Sequence, residues 1–119
     1  MKDYPGAFLS LLFFARDAVH REHLKSRSYA AHVALNEFYD RVIDLADKFA
    51  EAYQGLYDLI GEFPLMDGDV ADIVEELGKH LKWIDENRAE ICDDSAIQNI
   101  IDEIVALYAS TLYKLRFLK

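Results

Sequence analysis

Three of the four histidines, His20, His23 and His32, fall within 13 residues, and the fourth, His80, follows Glu76 by four. Downstream of His32, four carboxylates recur at i, i+4, i+7 and i+11: Asp40, Asp44, Asp47 and Glu51. At 100° per residue they share about 60° of helix surface. Imidazole nitrogens and carboxylate oxygens at neighbouring positions are a donor set that first-row transition metals accept. Iron is among them, with manganese and zinc as the other candidates. His32 projects between the acidic stripe and the apolar stripe of its helix, and Asp47 is the carboxylate nearest to it in angle. A solvated acidic face is the plainer account of Asp40 and Asp44, whereas Asp47 and Glu51 are open to either reading. No Lys or Arg lies inside the stripe; Arg41 and Lys48 flank it.

The stripe points almost directly away from the centre of its helix's apolar face. A di-metal site inside a bundle needs carboxylates that project into the core, commonly with Glu-x-x-His pairs. The chain has no Glu-x-x-His. A metal bound by these residues is therefore expected between chains. Glu76 and His80 read as an ordinary i, i+4 surface pair. Cys92, beside Asp93 and Asp94, lacks the positive surroundings that activate a thiolate. Trp83 and the tyrosines read as packing residues. Gly-rich phosphate loops, paired cysteines, HExxH and Gly-x-Ser-x-Gly are all absent from the sequence.

Four helical segments carry these residues, and no run reads as a strand. The first spans about residues 5–25, with Pro5 suited to its first turn. Its apolar residues, Phe8 to Phe14 together with Ala18 and Val19, point in nearly every direction. Such a helix must be covered on more than one side, and a second chain is the expected source of the extra cover. The second segment begins after Ser26 or Ser28, either of which can cap it, and ends at residue 55 or 61. Its stripe is Leu35, Phe38, Val42, Ala46, Phe49, Tyr53 and Leu56. A connector with Pro64 and Asp67-Gly68 follows. The third segment spans about 69–91 and the fourth 95–117, with Ser95 and Gln98 forming a capping box. The expected fold is all-α, one four-helix domain. A stop at Gly61 gives an up-down-up-down bundle, whereas a stop at Gly55 leaves a connector long enough for a crossover.

Composition narrows the field. With 119 residues, 52% hydrophobic and 29% charged, the chain suits one domain and is too apolar for disorder. Twenty-two acidic against 13 basic side chains leave a net charge of −9, which disfavours nucleic acid and anionic membranes as partners. The apolar run Ala7–Ala15 is about half the length of a membrane span and lacks the flanks of a signal peptide. One cysteine permits no internal disulfide, so a reducing cytoplasm is the expected setting, the host's if the chain is phage-encoded.

Residues 17–55 carry a family resemblance. His20-Arg-Glu-His23-Leu, Ser28-Tyr-Ala-Ala-His32, Ala34-Leu35, Phe38-Tyr39-Asp40 and Asp47-Lys-Phe-Ala-Glu51-Ala-Tyr-Gln-Gly55 resemble a family of small tailed-phage proteins. The same stretch resembles a shortened Dps-type mini-ferritin of the ferritin-like superfamily. That resemblance implies a ferritin-like bundle and a ferroxidase centre shared across an isologous two-fold interface. Histidines would come from one subunit and Asp and Glu from the other. Carried over, His32, Asp47 and Glu51 become the candidate catalytic ligands. His23 is the favoured further histidine by its His-x-x-His match, and His20 is an extra ligand that keeps the family's separation of 12 from His32. Leu24 replaces the family's Trp, the loop lacks glycine, and no Lys-rich DNA-binding tail is present. The expectation is thus a homo-oligomeric iron-binding protein that oxidises Fe(II). The alternative is a metal-free oligomeric helical phage protein that binds or inhibits a host protein.

Overall fold

Short oxygen-bearing side chains set where each helix begins. In the computed structural model, which describes residues 3–118, the helices are α1 (Tyr4–Lys25), α2 (Tyr29–Leu56), α3 (Ile73–Ile91) and α4 (Ser95–Phe117). Asp3 accepts the Gly6 N–H at 3.0 Å, and Ser28 accepts that of Ala31 at 3.2 Å. Asp72 accepts from Val74 and Glu75, and Asp94 from Ala96. Each such cap contributes about 1 kcal/mol to its helix.

Two starts differ from the sequence reading. α3 opens at Ile73 rather than near 69, because the Asp72 carboxylate captures the first free N–H groups from an extended backbone position. Asp94, not Ser95, caps α4, and the capping box does not form. Gln98 turns its amide instead to the Arg88 and Cys92 carbonyls, joining α4 to the end of α3.

α2 stops at Leu56, which leaves residues 57–72 as a long connection. The Gln54 side chain accepts the Ile60 N–H at 3.0 Å and bends the chain away from the helix axis. Gly61, at φ +83°, completes the turn in a conformation that L side chains rarely adopt. From there the connection runs as a strap along α1. Glu62 lies against Gly6, Phe63 against Phe13, and Met66 to Val70 beside Leu24 and Lys25. α3 therefore starts at the end of the bundle where α2 also starts.

α1 packs on α2 and α3, and α4 packs on the same two, so α1/α4 and α2/α3 are the diagonals. Lys48–Glu103 and Lys114–Glu37 ion pairs set α4 antiparallel to α2. The order is up-down-down-up with one long crossover, a connectivity that ferritin-like bundles also use. Of the two topologies left open by the sequence, the crossover is the one observed.

The apolar stripes meet inside. Phe8 stands edge-on to Phe49 at 4.9 Å, and Phe38 edge-on to Tyr108 at 5.0 Å, all four fully buried. Such pairs add about 0.5–1.5 kcal/mol to the burial of the rings themselves. The expectation that a second chain covers the apolar excess of α1 is corrected in part. Its third side is taken by the chain's own strap, with Phe63 on Phe13 at 6.4 Å. The strap covers α1 only in part, since Phe13 and Leu24 stay exposed.

Gly6 is the tightest point between strap and helix. A Cβ there would run into the Glu62 carbonyl, a backbone atom that cannot rotate away. Gly6→Ala is expected to lower stability by about 1–2 kcal/mol through displacement of the strap. A urea unfolding curve with an unchanged midpoint would show that the strap yields freely.

Candidate functional site

The α1–α2 hairpin is fastened by two histidines that hold each other's backbone. His23 Nδ1 lies 2.9 Å from the His32 carbonyl, and His32 Nδ1 lies 3.1 Å from the His23 carbonyl. A carbonyl only accepts, so each Nδ1 carries the proton and donates it. In the neutral ring each Nε2 is then a bare lone pair. The two rings stack at 3.7 Å. His23 is buried and His32 exposed. This is the arrangement that fixes ring orientation in metal-ligating histidines, where one nitrogen is tied to a carbonyl and the other is presented.

His20 joins the group through Tyr39. Their rings stack at 4.1 Å, and the Tyr39 ring stands edge-on to His23 at 5.2 Å. Tyr39 donates its O–H to Asn36 Oδ1 at 2.6 Å, and the Arg16 guanidinium lies 6.0 Å from its ring centre. Tyr39 therefore does more than pack: it lies on α2 seven residues beyond His32, on a nearby face, and links His20 to His23.

Asp40, Asp44, Asp47 and Glu51 are all exposed on the outer face of α2, as the angular argument required. Neither Asp47 nor Glu51 makes a hydrogen bond or ion pair among the described residues. The structure brings His20, His23 and His32 together but not the two carboxylates. Asp47 lies 15 residues along α2 from His32, about 22 Å of helix. Among the described residues, no group of three or more His, Cys, Asp or Glu side chains is placed to hold a metal ion within one chain.

A second polar cluster was misread from the sequence. His80 is 3% exposed, not a surface residue. Its Nε2 donates to Glu76 Oε2 at 2.9 Å, and its Nδ1 accepts from the Tyr108 hydroxyl at 3.2 Å. Burial holds His80 below its ordinary pKa against the opposing pull of Glu76, and burial raises the Tyr108 phenol. The network joins α3 to α4, with the Phe14 ring of α1 6.0 Å from the imidazole. Both ring nitrogens of His80 are satisfied, and Glu76 reaches the imidazole from the partly exposed edge of the bundle, so the network ties α3 to α4. The i, i+4 spacing of Glu76 and His80 signals half of this network, and the pair forms; the tyrosine that completes it lies 28 residues away on α4.

Fold and site together define a four-helix bundle in which every neighbouring pair is antiparallel, with one long crossover and a histidine-fastened hairpin. The chain belongs to the family of unknown function DUF5856, which matches residues 23–115. It is also similar to the "Uncharacterized 14.6 kDa protein in mobD-ri intergenic region" of Enterobacteria phage T4. The two are 30% identical over 110 residues, covering 91% of this chain and 84% of the phage protein. No solved structure matches. Among the described residues, no helix is long and apolar enough to cross a membrane.

Proposed function

We propose that two copies of this chain pack antiparallel through α2 and share sites that bind Fe(II) and oxidise it, in the manner of a ferritin-like protein. The carrying observation is the reciprocal His23–His32 clamp, which leaves two oriented Nε2 lone pairs uncommitted. Register supports the pairing. His32 and Asp47 are centred on position 39.5 and His32 and Glu51 on 41.5, so a two-fold near Asp40 sets His32 of one copy level with both carboxylates of the other. Neither carboxylate has a partner within the described residues to give up.

In this reading His23 and His32, with His20 beside them, orient Fe(II) from one side. Asp47 and Glu51 of the second copy supply the negative charge that favours the Fe(III) product. O₂ or peroxide takes the electron. Manganese and zinc suit the same donors, so metal identity belongs to the test.

The test is aerobic Fe(II) titration with native mass measurement. Oxidation is expected to exceed that in buffer, with iron retained by a dimer or larger assembly. His32→Ala with Asp47→Asn is expected to lower the rate about 10–100-fold. Unaccelerated oxidation with no bound iron removes the proposal.

A second reading has its own support. The strap leaves Leu59, Phe63, Leu65 and Met66 exposed, Leu65 completely. A metal-free phage-type protein that binds or inhibits a host protein would use such a surface. Elemental analysis of protein expressed without a chelating tag separates the two. Stoichiometric metal favours the first, and stable partner capture without metal favours the second.

A further inference from the structure

The end of the bundle opposite the histidine clamp holds an open cleft of about 460 Å³. Three tyrosines, Tyr4, Tyr53 and Tyr57, line it together with three carboxylates, Asp3, Asp58 and Glu90. The acids come from separate elements: the residue before α1, the strap, and α3. Tyr53 and Tyr57 lie ring to ring at 5.1 Å, and Phe49 backs Tyr53 at 6.0 Å from within the core. The Tyr57 hydroxyl donates to Asp94 at 3.0 Å, which fixes that ring at the rim. Asp3 Oδ1 accepts the Gly6 N–H and Asp58 Oδ1 accepts the Leu59 N–H. Glu90 has no partner among the described residues.

Electron-rich rings and carboxylates lining one cleft together select one ligand chemistry. An anion is repelled by the three acids. A neutral apolar ligand would gain contact with Leu59, Ile60 and Ile91 but strip water from those acids without replacing it. A hydrated metal ion would use the acids and ignore the rings. An alkylammonium group uses both, its charge on the carboxylates and its polarised methylenes on the rings. Burial, ahead of the charges of Cys92 and Asp3, holds the Tyr53 phenol above its ordinary pKa, so that ring stays neutral at physiological pH.

We propose that this cleft is a binding site for an organic cation of the alkylammonium class, free as a polyamine or borne by a lysine side chain. It shares no residue with the histidine–carboxylate face, so the two proposals stand or fall separately.

Calorimetric titration of the full chain with spermidine tests it, with a parallel arm using an end-blocked peptide that carries one lysine. Saturable binding of one ligand per chain is expected. Tyr57→Leu should weaken it at least about fivefold, the loss of one good cation–ring contact. The exposed pair Asp58→Asn and Glu90→Gln should weaken it as much, while Asp44→Asn on the outer face of α2 should leave it unchanged. Helical circular dichroism checks that each variant folds. The pair Asp58→Asn and Glu90→Gln keeps the test decisive if Tyr57→Leu does not fold. Binding of the peptide alone assigns the cation to a protein side chain, and binding of spermidine assigns it to a free polyamine. Uptake that does not saturate, or that falls equally with Asp44→Asn, is counterion attraction to an acidic protein and overturns the proposal. So does the absence of binding in both arms.

Discussion

Replacing Tyr108 with Ala is expected to destabilise the bundle by about 3–5 kcal/mol, the cost of emptying a large aromatic site in a packed core. The ring is fully buried and edge-on to Phe38, and its hydroxyl is the donor that satisfies His80 Nδ1. Truncation therefore opens a cavity and leaves a buried nitrogen without its partner. Tyr108→Phe separates the two effects, because it keeps the ring and removes only the donor. It is expected to lose about 1–3 kcal/mol, the penalty of an unsatisfied buried polar group. A domain of this size has only about 5–15 kcal/mol of net stability, so the Ala variant should lie near the edge of folding at 37 °C. Urea denaturation of both variants measures the difference. A Tyr108→Phe midpoint equal to that of the parent chain would mean that the hydroxyl contributes nothing and the network is incidental.

Acid should weaken the fold in a window set by His80. Burial lowers its pKa in the folded chain, whereas the unfolded chain regains the ordinary value of 6.5. Between those two values the unfolded state binds one more proton than the folded state. Stability supplied by the neutral imidazole is thus complete above about pH 6.5 and is lost as pH falls toward the folded value. The slope is at most about 1.4 kcal/mol per pH unit for one such group. The groups facing the imidazole are Glu76 from α3, the Tyr108 hydroxyl from α4 and the uncharged Phe14 ring from α1. Glu76 opposes the shift without reversing it. Glu37, held below its ordinary pKa by its hydrogen bond and ion pair with Lys114, acts in a separate, lower window beneath about pH 4.3. Urea midpoints measured from pH 7.5 to 5 should fall for the parent chain and flatten for His80→Gln. A profile that stays steep in that variant would assign the effect to another group.

Period and composition were enough to read four helices, because each apolar stripe is a local property of its own segment. Phe38, Val42, Ala46 and Phe49 are buried as the spacing of α2 requires. Ile97, Ile100, Ile104 and Tyr108 follow the same rule on α4. The outward aim of Asp40, Asp44, Asp47 and Glu51 was legible for the same reason, since a helix fixes angle by residue number alone. Helix starts were read less well at 69–73 and at Asp94. Several Asp and Ser residues there can each cap, and only the surrounding chain decides which one does.

What the sequence determined by itself is the set of helices, the direction each side chain leaves its helix, and the overall acidity. Tertiary structure alone decided the crossover, the cover of α1 by the strap, the burial of His80 and the mutual clasp of His23 and His32. The reason is range. A stripe depends on neighbours three or four residues away, whereas His80 meets Tyr108 across 28 residues and Glu37 meets Lys114 across 77. Such encounters are set by which helices become neighbours when the chain closes its core, and no local spacing encodes them.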